Sequence, residues 1–128
     1  MADVDTSDGL RAWARGVYPT EAAAELLIRA HGGRFADAGW PWIQEAEDLY
    51  WIDATVLATE TGALSGGERR FLRIVGSLLD SGAPVVLEDT LPGLDRYMLA
   101  LVLAAVSHAG GSHRSPGGAL YAWPEDDA

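Results

Sequence analysis

The clearest pattern of hydrophobic and polar positions lies in residues 64–82. From Phe71 onwards, apolar residues recur at i, i+3, i+4 and i+7, which is the spacing of one buried face of an α-helix. Ser65 and Glu68 have the spacing of a capping box, in which each side chain bonds the other residue's backbone N–H. Gly82 stands where glycine commonly ends a helix. The pattern predicts a central amphipathic helix that starts at Ser65.

Two helices are predicted before this one. Ser7 or Asp8 can cap a short first helix, whose Trp13 we expect to pack inward. Thr20 can cap an alanine-rich second helix that ends at the glycine pair 32–33.

Two more helices complete the prediction. Asp53 can cap a short third helix, and Asp95 can cap a last helix at residues 96–109. The last helix is apolar on most of its faces, so we expect it near the middle of the fold. Glycines and serines then follow, as in a linker. We predict that residues 1–111 form a single helical domain and residues 112–128 a flexible tail with acidic and aromatic residues.

Aromatic residues replace alanine between the second and third helices. Two short apolar runs flank an acidic segment, which favours a small β-hairpin at about residues 42–52. Trp40, Trp42 and Trp51 can cover one end of the helical core, or, if two of them are exposed, form a recognition surface. The predicted fold class is mainly α, a compact domain of about five helices with a hairpin insertion and a flexible C-terminal tail.

Composition and charge indicate the number of domains, the cellular location and the class of partner. A chain of 128 residues with 48% hydrophobic content fits one domain. It has no cysteine and no apolar run long enough to span a bilayer, so we expect a cytoplasmic protein that does not enter the membrane. Its net charge of −10 disfavours direct binding to nucleic acid. Another protein is the expected partner, and a homo-oligomer is possible.

Residues 64–95 contain the one motif with a functional association. LSGGE at 64–68 resembles the signature motif of ABC-type ATPases, VVLED at 85–89 lies where that family has its Walker B strand, and GLD at 93–95 is similar to its D-loop. The resemblance implies a nucleotide-linked fragment, or an accessory subunit that completes another protein's ATP site. The chain has no lysine, so the phosphate-binding loop of that family is absent.

Over its whole length the chain is similar to a family of small proteins of high-GC actinobacteria that has no assigned activity. The shared sequence segments include LRAWARG at 10–16 and LSGGERRFL at 64–72. Because the family has no assigned activity, the resemblance identifies no catalytic residue.

The histidines near the end of the last helix do not have the spacing of a metal site. His108 and His113 are five residues apart, whereas paired helical ligands are four apart, and we expect His108 to interact with the helix dipole. No Ser-His-Asp or Cys-His set can be proposed from the sequence alone either. We predict no catalytic residue, no metal and no cofactor.

The leading hypothesis is a non-enzymatic protein-interaction or regulatory module. A further alternative is an acidic inhibitor or mimic that acts on a DNA-binding protein, which predicts clustered surface acids. The arginines of the central helix can contact a partner or simply lie over the core. The candidate contact residues are Trp40, Trp42, Trp51, Arg69, Arg70, Arg73, Arg96, Tyr121 and Trp123.

Overall fold

The computed structural model describes residues 5–125, and this part of the chain is mainly helical with one β-hairpin. The α-helices are α1 (Thr6–Ala14), α2 (Tyr18–Arg29), α3 (Ala54–Thr59), α4 (Gly66–Leu79), α5 (Leu87–Thr90) and α6 (Arg96–Ala109). Turns of 3-10 helix occur at Leu91–Gly93, at Ser112–Arg114 and within Ala30–Ala36, where positive φ at residues 31–33 forms a kink. The strands are β1 (Ile43–Ala46) and β2 (Leu49–Ile52). The predicted fold class is confirmed.

Helix α2 lies at the centre of the fold, because it packs against α1, α4 and α6. Its alanines at 22–24 are fully buried, and their small side chains let the neighbouring helices approach closely. Leu26 and Leu27 of α2 and Phe71 of α4 fill the core between the helices. The helix predicted as central, α4, therefore shares the core with α2.

The caps predicted for three helices are present. Both bonds of the capping box form at α4, with 3.2 Å between the Glu68 nitrogen and Ser65 Oγ. The carboxylates of Asp53 and Asp95 accept backbone N–H groups at the starts of α3 and α6. These elements begin where the sequence predicted, since each cap depends only on residues three positions apart.

The first two helices begin earlier than predicted. Asp5, instead of Ser7 or Asp8, caps α1. Helix α2 starts at Tyr18 and includes Pro19 in its first turn, ahead of the predicted cap Thr20. Proline is tolerated there because the N–H groups of the first turn have no partner within the helix.

The hairpin confirms the predicted insertion and is closed by a two-residue turn. Ile43 pairs with Ile52 in an antiparallel register, and both side chains are buried. Glu47 and Asp48 form the turn, with φ of 51° and 71°. Positive φ at both central residues is the pattern of a type I′ turn, whose twist matches that of the strands.

Two of the tryptophans cover one end of the core. Trp42 is fully buried, and its ring N–H donates to the backbone oxygen of Phe35 at 2.8 Å. Trp40 is half-buried and stacks on Trp42, with 4.7 Å between the ring centroids. Trp13, which was expected to pack inward, is 40% exposed. The inward face of α1 is occupied by its smaller neighbours Leu10 and Ala14.

Helix α6 buries only one face. Leu101, Val102 and Ala105 are buried, whereas Leu103 and Val106 are 40% and 59% exposed. Because α6 packs on α2 from the outside, it is less central than its apolar sequence predicted. Within residues 5–125, no helix has the length and apolar character needed to cross a membrane.

The start of the predicted tail folds back onto α6. The hydroxyl of Ser107 accepts the backbone N–H of Tyr121 at 3.1 Å, and the hydroxyl of Ser112 accepts that of Leu120 at 3.2 Å. Trp123 is half-buried, and the guanidinium of Arg29 lies 5.0 Å from the centroid of its ring. Residues 126–128 lie outside the part of the chain that the structure describes.

Candidate functional sites

An apolar groove lies between α1 and the hairpin. It has a volume of about 570 Å³. Trp13 forms one wall at 40% exposure, and Leu49 is 68% exposed on the opposite side. Trp51 is half-buried and lines the same groove. We call this site the α1–hairpin groove; its lining residues are Gly9, Ala12, Trp13, Asp48, Leu49, Tyr50 and Trp51.

Local sequence explains why the groove is open. Gly9 lies against the ring of Tyr50 so closely that a Cβ at this position would collide with it. The hairpin is thereby held against the start of α1. The type I′ turn then places Leu49 at the start of β2, where it pairs across the strands only with the small Ala46. A large side chain with so small a neighbour remains accessible to solvent.

One acidic residue lines the groove, and two more adjoin lining residues in sequence. Asp48 lines it, and the exposed carboxylates of Asp8 and Glu47 are the chain neighbours of lining residues. On the other flank of α1, Arg11 and Arg15 line a different pocket. The groove therefore combines an apolar floor with negative charge at its edge.

The second pocket, of about 280 Å³, is charged and lies between α1, α2 and α6. Glu25 is at its centre: one carboxylate oxygen accepts from Arg29 Nε at 2.7 Å, and the other accepts from Arg11 Nε at 2.7 Å. Burial, which acts to raise the pKa of Glu25, is outweighed by these hydrogen bonds, so its pKa lies below the usual range. Glu21, His108 and Trp123 complete the wall on the side of α6.

A cluster of metal-ligating side chains borders this second pocket. Glu21, His108 and His113 each offer a ligand atom, and these atoms all lie within 4.8 Å of one another. His108 Nε2 is 2.7 Å from Glu21 Oε1, and both side chains are largely buried. The backbone N–H of Gly16 donates to the other carboxylate oxygen of Glu21, which lowers the pKa of Glu21, and the bond to His108 lowers it further.

No family model, no curated protein and no solved structure matches this chain.

The four candidate arginines are unequally accessible. Arg73 and Arg96 are exposed, whereas Arg69 and Arg70 are half-buried. Within residues 5–125, none of the four forms an ion pair. The side chain of Arg70 lies over Gly93, where a Cβ would collide with it, so this arginine joins α4 to the turn before α6.

Residues 64–95, which resemble part of the ABC-type ATPases, begin at the capped start of α4. Ser65 and Glu68 are both engaged in the capping box. Glu68 also forms an ion pair with Arg34 at 2.6 Å. Of residues 85–89, which are similar to the Walker B strand, Val85 and Val86 lie in no strand and the other three lie in α5.

The remaining candidates divide between core and surface. Trp42 has no exposed surface, whereas Trp40 and Trp51 keep part of theirs. In the tail, Tyr121 is 55% exposed, while Trp123 lies against Arg29. Of the three hairpin-region tryptophans, Trp51 is therefore the one that lines the α1–hairpin groove.

The sequence did not identify the two exposed apolar residues, Trp13 and Leu49, that line the α1–hairpin groove. The sequence predicts that Trp13 packs inward, and no local pattern identifies Leu49 as a site residue. The cluster of Glu21 and His108 was missed because its members are 87 residues apart in sequence, so no local spacing relates them. The one available signal was the Gly111–Ser112 turn, which reverses the chain and can return His113 towards α6.

Proposed function

We propose that this chain is a non-enzymatic, cytoplasmic protein-interaction module whose α1–hairpin groove binds a segment of another protein. The observation that supports the proposal is the apolar groove itself, because Leu49 and Trp13 leave large apolar surface in contact with solvent. Exposed apolar patches bordered by polar residues are typical of protein-binding sites. Tryptophan is also enriched among residues that dominate binding energy.

The charges near the groove support one kind of partner over others. Asp48 lines it, the exposed residues Asp8 and Glu47 adjoin lining residues in sequence, and the whole chain has a net charge of −10. A negative border favours a partner of opposite charge and speeds its association. The expected ligand is therefore a segment with one or two large apolar side chains next to arginine or lysine.

Photo-crosslinking in the source organism tests this proposal. A benzophenone amino acid replaces Leu49, and the control carries the same group at Val86, which is 62% exposed but does not line the groove. We expect one protein to be captured from position 49 and not from position 86, through a segment that contains apolar and basic residues. Capture of the same proteins from both positions, of an acidic segment, or of a second copy of this chain would contradict the proposal.

A further inference from the structure

The cluster of Glu21, His108 and His113 is built from three separate elements that meet at one end of the fold. Glu21 lies in the first turn of α2, His108 in the last turn of α6 and His113 in the 3-10 turn that follows. Because α2 and α6 are packed together, the approach of Glu21 and His108 is fixed by the core. The cluster is independent of the α1–hairpin groove.

The chain holds His113 in place through several contacts. Gly111 has a φ of 80°, a left-handed conformation that suits glycine, and it turns the chain back towards Tyr18. The hydroxyls of Ser107 and Ser112 are hydrogen-bonded across this turn. The ring of Tyr18 packs edge-on against His113, with 4.8 Å between centroids. These contacts place the second imidazole beside the first.

One polar atom of the cluster lacks a partner. Nδ1 of His113 is buried and has no hydrogen-bond partner within residues 5–125. Buried polar atoms are almost always paired, and an unpaired one calls for an explanation such as a bound ion. Burial and the neighbouring His108 lower the pKa of His113.

We propose that Glu21, His108 and His113 bind a Zn²⁺ ion. Two imidazole nitrogens and one carboxylate oxygen are ligands that suit Zn²⁺, and three protein ligands leave a fourth position for water or a small ligand. Since Glu21 and His108 also line the charged second pocket, the fourth position is expected to face that pocket.

Binding requires a small movement of the rings. Zn–N bonds of about 2.0–2.1 Å place tetrahedral donors about 3.3 Å apart. Donor atoms that are now up to 4.8 Å apart must therefore approach one another, whereas Glu21 Oε1 and His108 Nε2, now 2.7 Å apart, must separate slightly. The imidazoles of His108 and His113 are now stacked in parallel, with 3.9 Å between centroids, so their lone pairs do not meet at one point. The proposal therefore requires the imidazoles to rotate about the Cβ–Cγ bond, which is a soft torsion.

Calorimetric titration of ZnCl₂ into the untagged full chain, first stripped of metal with a chelator, tests the proposal. We expect one Zn²⁺ per chain, and we expect His108→Ala and His113→Ala to weaken binding by about 100-fold or more. His31→Ala is the matched control, because His31 is exposed and is absent from the cluster. The affinity of this variant for Zn²⁺ should equal that of the wild type.

A second measurement, made on the wild type, tests the proposal even if the histidine variants fail to fold. In the NMR spectrum of the wild type, one equivalent of Zn²⁺ should shift the ring resonances of His108 and His113 and leave those of His31 unchanged. Absence of one-to-one binding, equal loss of affinity in His31→Ala, or ring shifts at His31 alone would overturn the proposal.

Discussion

Glu25 offers the sharpest prediction about what holds the helices together. Its carboxylate joins α1 to α2, with hydrogen bonds of 2.7 and 3.1 Å from Arg11 and one of 2.7 Å from Arg29. The Glu25 side chain is only 15% exposed. Glu25→Gln keeps the size of the side chain but removes the charge that both guanidinium groups share.

The expected loss is moderate because the arginines can return to water. Hydrogen bonds to charged groups are worth about 1.5–3 kcal/mol each. The side chains of Arg11 and Arg29 remain 41% and 29% exposed, however, so solvent replaces much of what they lose. The amide oxygen of glutamine can also keep one bond. We expect the free energy of unfolding to fall by about 1.5 kcal/mol at pH 7, and Tm by about 5 °C.

The pH dependence of stability distinguishes the electrostatic contribution of Glu25 from its packing contribution. The pKa of Glu25 is lower in the folded protein than in the unfolded chain, because the arginine bonds outweigh the effect of burial. Its stabilisation is therefore present above the unfolded pKa of about 4.3 and is lost as the pH falls through the lower, folded value. The difference between wild type and Glu25→Gln should be greatest at pH 7 and should shrink at pH 3.

Urea unfolding followed by circular dichroism at both pH values measures this difference. Glu60→Gln is the control, since Glu60 is exposed and forms no ion pair within residues 5–125, and it should change stability by less than about 0.5 kcal/mol. If Glu25→Gln costs as much at pH 3 as at pH 7, the loss comes from packing and the electrostatic reasoning is refuted.

Two further predictions concern the hairpin and the tail. Asp48→Gly should raise the free energy of unfolding by about 0.5–1 kcal/mol, because Asp48 adopts a φ of 71° that glycine accepts without strain. A lower Tm would show that the Asp48 side chain stabilises the fold by more than the relief of backbone strain does. Ser107→Ala removes the acceptor of the Tyr121 N–H, so limited proteolysis should cut residues 115–125 faster than in the wild type, and an unchanged rate would mean that this bond does not hold the tail.

The parts of the fold that the sequence predicted correctly depend on short-range signals. The capping box of Ser65 and Glu68 and the caps at Asp53 and Asp95 involve residues three positions apart, and all of them are present. Helix starts of this kind can be identified from sequence because the bonds that make them are local.

The candidate sites depend on long-range contacts, and these were not predictable. Trp13 is apolar and helical, as a core residue would be, but its neighbours Leu10 and Ala14 occupy the inward face of α1. The meeting of Glu21 with His108 results from the packing of α2 on α6. Spacing within one element carries no information about such a pair.

The most direct test of the account is the affinity of the α1–hairpin groove for its ligand. The segment captured from position 49, made as a synthetic peptide, is titrated by calorimetry into wild type, Leu49→Asp and the control Val86→Asp. The account predicts a Kd about 30-fold higher for Leu49→Asp, the loss expected of a central binding residue, and an unchanged Kd for Val86→Asp. Equal affinities for wild type and Leu49→Asp would contradict it.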